Sequence, residues 1–390
     1  MSRFESRASA YIGILLPTCR NTIRQARCFH PTSIPKARPI ARASPKTRAR
    51  LQQQEGSIRV RQAPNIEDSL PPVVLLNSAR KSGLLQIEPE KALDFLRQYQ
   101  QLAVNPVGSW EQTLCNQHNI DPATVATLAG ILRRSHDKAQ QVLAKKIMLT
   151  ASALGDKSAT LEIISAALRL GKLHDYPAPL RQLGILAKKE NDLPALTFLG
   201  KVHNAHGDKR GALECFRKAT RPPTGNLEFY GAGDALVSEG LILLELKDKD
   251  GAETAFEKAA LELDDPAAYF YLSKLQEPGS PQEQIYLLKA ASSGITEAWH
   301  NLGALEMAKR KDTITKPSKV EDFGMAYDWF QVAATEGFGL SMLNLALMYK
   351  SVGNVEEGMT WLEKAEENAD VRDQARAIKA DFRNSNVGAI

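Results

Sequence analysis

Long apolar runs are scarce in this chain. The stretch Ala10–Leu16 is far shorter than the roughly 20 residues that cross a bilayer. No later run qualifies, so any membrane contact is expected to be peripheral. Cysteine is also rare. Cys19, Cys28, Cys115 and Cys215 form no CxxC and no paired framework, which argues against a zinc ribbon and a disulfide scaffold. Cys115 and Cys215 stand singly in helical patterns and read as buried thiols. Aromatic residues make up 6% of the chain, which suits helices packed through Ala and Leu. No GxxxxGK[ST], HExxH or GxSxG occurs. Gly231-Ala-Gly233 begins a GxG, but Gly240 stands at the wrong distance and no strand precedes it, so it is not a dinucleotide fingerprint. His203 and His206 could share a helix face, yet no third ligand lies nearby beyond Asp208. We therefore expect no catalytic residue, no metal, no cofactor and no small-molecule substrate.

Acidic residues are missing from positions 6–54. There Arg stands at 7, 20, 24, 27, 38, 42, 48 and 50, with Ser and Thr between. An Arg-rich, Ser-rich, acid-poor leader is the composition of a mitochondrial transit peptide, drawn inward by a negative potential. Arg27-Cys28-Phe29-His30-Pro31 resembles a matrix-protease cleavage context. The plainer alternative is a disordered basic tail that binds nucleic acid or membrane. Residues 1–54 hold eleven Lys and Arg against Glu5 alone, so the rest carries 39 basic and 44 acidic residues, a net of −5. The body is not basic overall, which argues against nucleic-acid binding. Locally, Arg133, Arg134, Lys138, Lys145 and Lys146 form a basic patch able to contact RNA or lipid headgroups, with a solvated face as the plainer reading.

What the chain does contain is helical periodicity, with no convincing strand-like alternation. Residues 55–87 read as a linker, because Pro64, Pro71 and Pro72 break helices and only Val73–Leu76 is apolar. Residues 88–190 read as degenerate helix pairs. Asp121-Pro122 opens one helix, and Gly155 and Gly171 close two others. Residues 191–375 carry the clear repeats, and 376–390 a tail. One helix is written three times, as Tyr286–Gly294, Trp329–Gly337 and Trp361–Ala365. Aligned on Ala219, Ala259, Ala290, Ala333 and Ala365, the intervals are 40, 31, 43 and 32 residues. The segment Lys309–Lys319 accounts for the longest interval. Repeats of 30–40 residues mean stacked helix pairs. The small residues should let paired helices approach to about 8–10 Å, while Tyr286, Trp329 and Trp361 fill the gap to the next pair.

Ala298-Trp-His-Asn-Leu-Gly303, followed by Trp329, Ala333-Ala334 and Gly337, resembles the Sel1-like repeat. Ala252–Asp264 resembles the second helix of a tetratricopeptide repeat. The resemblance covers about residues 191–366, somewhat under half the chain. It implies an all-α, right-handed superhelical solenoid of antiparallel helix pairs, whose first helices line a concave face where a protein or peptide partner docks. Asn301 and Asn344 each precede the Leu of a first helix, at equivalent positions, and in related arrays such an Asn can grip a peptide backbone. The basic residues of a carboxylate clamp are missing from matching positions. With the leader, the resemblance implies a non-catalytic scaffold or adaptor in the mitochondrial matrix or on the matrix face of the inner membrane. Its expected role is assembly or maturation of an inner-membrane complex such as cytochrome c oxidase. The alternative is an RNA- or ribosome-associated mitochondrial factor.

Overall fold

The structure is a computed structural model and describes residues 66–310 and 317–382. The basic leader, residues 55–65 of the expected linker and most of the insertion lie outside the described residues. Eighteen α-helices and no strand occur among those described. They fall into two compact units that meet in sequence between Tyr230 and Gly231.

The first unit holds α1 (Val73–Lys81), α2 (Pro89–Leu102), α3 (Trp110–His118), α4 (Pro122–Arg133), α5 (Lys138–Ala153), α6 (Lys157–Leu170), α7 (Pro177–Lys188), α8 (Leu193–Ala205) and α9 (Lys209–Thr220). The second holds α10 (Ala232–Glu245), α11 (Lys249–Leu263), α12 (Pro266–Leu275), α13 (Pro281–Ser292), α14 (Thr296–Arg310), α15 (Met325–Thr335), α16 (Gly339–Ser351), α17 (Val355–Glu367) and α18 (Arg372–Phe382). From α4 onward each helix within a unit packs against its successor, and the helices pair as α4 with α5, α6 with α7 and α8 with α9, then α10 with α11 through α16 with α17. This is the all-α helical solenoid expected.

Local chemistry sets the helix starts. Asp121, Asp156, Asp192, Asp208, Asp248 and Asp265 each accept a backbone N–H from the first turn of the helix they precede. Asn354 does the same for α17. Such caps satisfy donors that the helix cannot, at about 1 kcal/mol each.

Packing within pairs rests on bulk matched to its absence. A Cβ added to Gly200 of α8 would lie 2.7 Å from the Phe216 ring of α9. At Gly240 of α10 it would lie 2.4 Å from Phe256 of α11, and at Gly303 of α14 2.6 Å from Phe330 of α15. The equivalent positions in the other two pairs are Ser273 with Leu287 and Ala346 with Leu362, all buried. Phe on the second helix goes with Gly on the first; Leu goes with Ser or Ala. The alignment residues Ala219, Ala259, Ala290, Ala333 and Ala365 are all fully buried.

Four expectations need correction. The expected linker contains α1, whose Leu76 is fully buried in the core of the first unit. Pro71 and Pro72 precede this helix rather than interrupt it, and proline is compatible with a helix start. Helix α3 was not expected. The expected tail begins inside α18, where Phe382 packs against Gly358 of α17. Only Val371, Ala375 and Phe382 of that charged stretch are buried, a stripe too thin to read from periodicity. The residue that fills each second helix most deeply is also one later than expected. Leu287, Phe330 and Leu362 are at most 2% exposed, whereas Tyr286 and Trp329 are half-buried and Trp361 is 7% exposed.

His300 of α14 is 1% exposed, between the Phe330 and Phe338 rings, with Nδ1 2.9 Å from Ser341 Oγ. Burial lowers its pKa from 6.5 to about 4. The unfolded chain therefore takes up a proton that the folded chain refuses. Stability is full above pH 6.5 and falls as pH drops toward 4.

Two outcomes follow. Gly240→Ala should destabilise the protein by about 1–3 kcal/mol despite the better helix propensity of Ala. Gly130→Ala and Gly184→Ala, where an added Cβ meets nothing within 4 Å, should be neutral or stabilising. Adding Phe256→Leu should rescue Gly240→Ala, as read by thermal melts of these four variants beside the native chain. Between pH 7 and pH 5 the native chain should lose about 2 kcal/mol through His300, and a His300→Gln variant should show a flatter pH profile in urea titrations.

Candidate functional site

The first helices of three successive pairs in the first unit line an open groove of about 620 Å³. Helix α6 supplies one wall. Lys157, Leu161, Ser165 and Arg169 stand four residues apart, with Glu162 and Ala166 on the neighbouring stripe, so one helix face lines the groove. Helix α8 supplies Pro194 and Phe198, α4 supplies Arg133 from its last turn, and the connector after α9 supplies Tyr230. Tyr230 is fully exposed at 101% and Phe198 half-buried, with Lys201 Nζ 5.4 Å from the Phe198 ring. The surface is thus aromatic and aliphatic in its middle and cationic at its margins.

The cations are not equivalent. Arg133 pairs with Glu162, and Lys157 pairs with Asp192, the cap of α8. Arg169 is exposed and has no carboxylate partner among the described residues. The groove therefore keeps one unmatched positive charge beside apolar surface.

A register explains which residues reach this face. Each first helix from α6 onward carries a fully buried small residue in its first turn: Ala159, Ala195, Ala235, Ala268, Ala298 and Ser341. The third residue after it is Glu162, Phe198, Ser238, Tyr271, Asn301 and Asn344 respectively. Glu162 and Phe198 line the groove. In the second unit Asn301 is half-buried, whereas Asn344 is only 8% exposed and its Nδ2 meets no acceptor among the described residues. Tyr271 stacks on Phe256 at 5.3 Å, with Lys274 5.6 Å from its ring centre, and burial raises its pKa.

The basic patch does not act as one surface. Arg133 joins Lys157 and Arg169 at the groove, while Arg134 and Lys138, both exposed, do not line it. Lys145 sits 5.5 Å from the Tyr176 ring centre. The residues missed from sequence are Lys157, Arg169, Phe198 and Tyr230. The signal that finds Phe198 is its shared register with Asn301 and Asn344; Tyr230 lies outside any repeat position.

His203 does not pair with His206: its Nδ1 lies 2.8 Å from Asp208 Oδ2. No group of three or more His, Cys, Asp or Glu is placed to hold a metal among the described residues. Burial pushes the Cys115 thiol up to about 11 and also raises that of Cys215, so neither is poised as a nucleophile. No described helix is long and apolar enough to cross a membrane.

No family model matches the chain, and no curated protein matches it. Among solved structures it is similar to c5321, a protective antigen of uropathogenic Escherichia coli strains displaying an SLR fold. That similarity is 17% identity over 72% of this chain and 67% of that one, with a TM-score of 0.46. It is also similar to a Sel1 repeat protein from Oxalobacter formigenes, at 18% identity over 75% of this chain and 93% of that one, with a TM-score of 0.35.

Proposed function

We propose that this protein is a non-catalytic scaffold that holds a protein partner against the first helices of its repeats. The observation that carries the reading is the groove on α4, α6 and α8, where the exposed Tyr230 ring and the half-buried Phe198 and Leu161 stand beside cations. Exposed aromatic surface rimmed by charge is what a protein partner covers. Asn301, half-buried in the same register of the second unit, offers a further donor and acceptor to a bound backbone.

The leader, basic and without an acid from residue 6 to residue 54, supports a mitochondrial address, in the matrix or on the matrix face of the inner membrane. There the scaffold assists assembly or maturation of an inner-membrane complex such as cytochrome c oxidase, with any membrane contact peripheral. An RNA- or ribosome-associated role is the weaker alternative. Two of the three groove cations already hold carboxylates, and phosphate binding needs a stripe of unspent charge.

Two measurements test this. Residues 1–54 fused to a fluorescent protein should reach mitochondria, and dissipating the membrane potential should abolish import. Equal import without potential would remove the address. Full-length tagged protein purified from gently solubilised mitochondria should bring down inner-membrane complex subunits, and a Phe198→Ala/Tyr230→Ala version should lose them. Recovery of ribosomal proteins and RNA, unchanged in that variant, would transfer the assignment to gene expression.

A further inference from the structure

We infer that the groove on α4, α6 and α8 selects an acidic–hydrophobic protein segment, in which a single carboxylate engages Arg169 while a neighbouring Phe, Trp or Leu packs among Leu161, Phe198 and Tyr230. This rests on the protein-binding role proposed above and narrows it to one partner chemistry.

The argument is charge complementarity residue by residue. Arg133 and Lys157 are held by Glu162 and Asp192, so a ligand anion would have to displace an existing carboxylate to reach them. Arg169 stands on the same α6 face, two turns beyond Leu161, without a carboxylate partner among the described residues. A guanidinium takes a carboxylate through two parallel N–H donors, a geometry that rewards one well-placed anion. Along the same groove, the exposed Tyr230 ring and half-buried Phe198 offer apolar area whose removal from water favours binding. A nucleic acid would bring many phosphates to a site with one unmatched cation, and an uncharged apolar segment would leave Arg169 desolvated without a partner.

The test is selection from a phage-displayed library of random short peptides on the immobilised full chain. The strongest binder is then synthesised with a fluorescent label and measured by anisotropy. Expected binders carry Asp or Glu close to Phe, Trp or Leu. Arg169→Glu, a substitution at an exposed position, should weaken binding about tenfold, the worth of one charge-assisted contact. Arg169→Lys should retain part of the affinity, and Tyr230→Ala should weaken binding several-fold. A ligand with its acid replaced by Lys should fail on the native chain and recover on Arg169→Glu. Circular dichroism melts of each variant establish that the fold persists. Binders with basic or neutral cores that respond to Tyr230→Ala but not to Arg169→Glu would overturn the acidic selectivity and keep the groove as a protein site. No enrichment at all, or binders indifferent to every groove variant, would overturn the protein-binding role of the groove as well. Displacement of the peptide by single-stranded RNA at physiological salt would reassign the site to nucleic acid.

Discussion

The contact between a bare glycine on one helix and a phenylalanine ring on the next is the constraint on which the repeats depend. It recurs as Gly200 with Phe216, Gly240 with Phe256 and Gly303 with Phe330. Each ring lies where a β-carbon would otherwise stand, so the helices of a pair come close without a gap. Interiors at this density tolerate neither a void nor an added carbon. The chain answers that by changing both partners together: where the ring gives way to Leu287 or Leu362, the glycine gives way to Ser273 or Ala346. Volume across the pair is roughly conserved while identity is not.

That contact also fixes which way the first helices face. Once the opening small residue and the glycine position, five residues apart, are buried, the residue between them at the third step is placed by helix geometry alone. In α6 and α8 it reaches the groove as Glu162 and Phe198. The packing code and the groove lining are thus two readings of one helix, offset from each other. Side chains at the third step vary in kind, from carboxylate to aromatic to amide, because the core makes no demand on them. Burial of Asn344 and stacking of Tyr271 show that neighbours can still claim this position for structure.

Much of the fold could be read from the chain, and the reasons are specific. The alanines spaced near 31–43 residues were visible because their neighbours Lys, Leu and Gly repeat with them. All five proved buried. The start of α1 was hidden by Pro71-Pro72, since proline marks both the end and the beginning of helices. Helix α18 was hidden because three buried residues hold it, among many charges. The groove was harder still. Arg133 was picked out from a run of basic residues, yet the run splits in space, and Arg133 works with Lys157 and Arg169, which lie 24 and 36 positions further on. Such a grouping depends on three helices stacking and has no local signature. Tyr230 sits in a connector, where no periodicity applies.

The segment between α14 and α15 separates what this architecture forbids from what it permits. Gly200 and Gly240 each stand 16 residues before their ring, whereas Gly303 stands 27 before Phe330, and the approach is the same. Eleven further residues have entered one pair, and Phe323 near their end is buried in the core of the second unit. Closing a longer loop costs only with the logarithm of its length, about 1 kcal/mol here. A repeat of this kind is therefore strict about volume and indifferent to length: new sequence can be spliced into the bend of a pair at little more than the cost of its own ordering, while the ring and the glycine on either side keep their places.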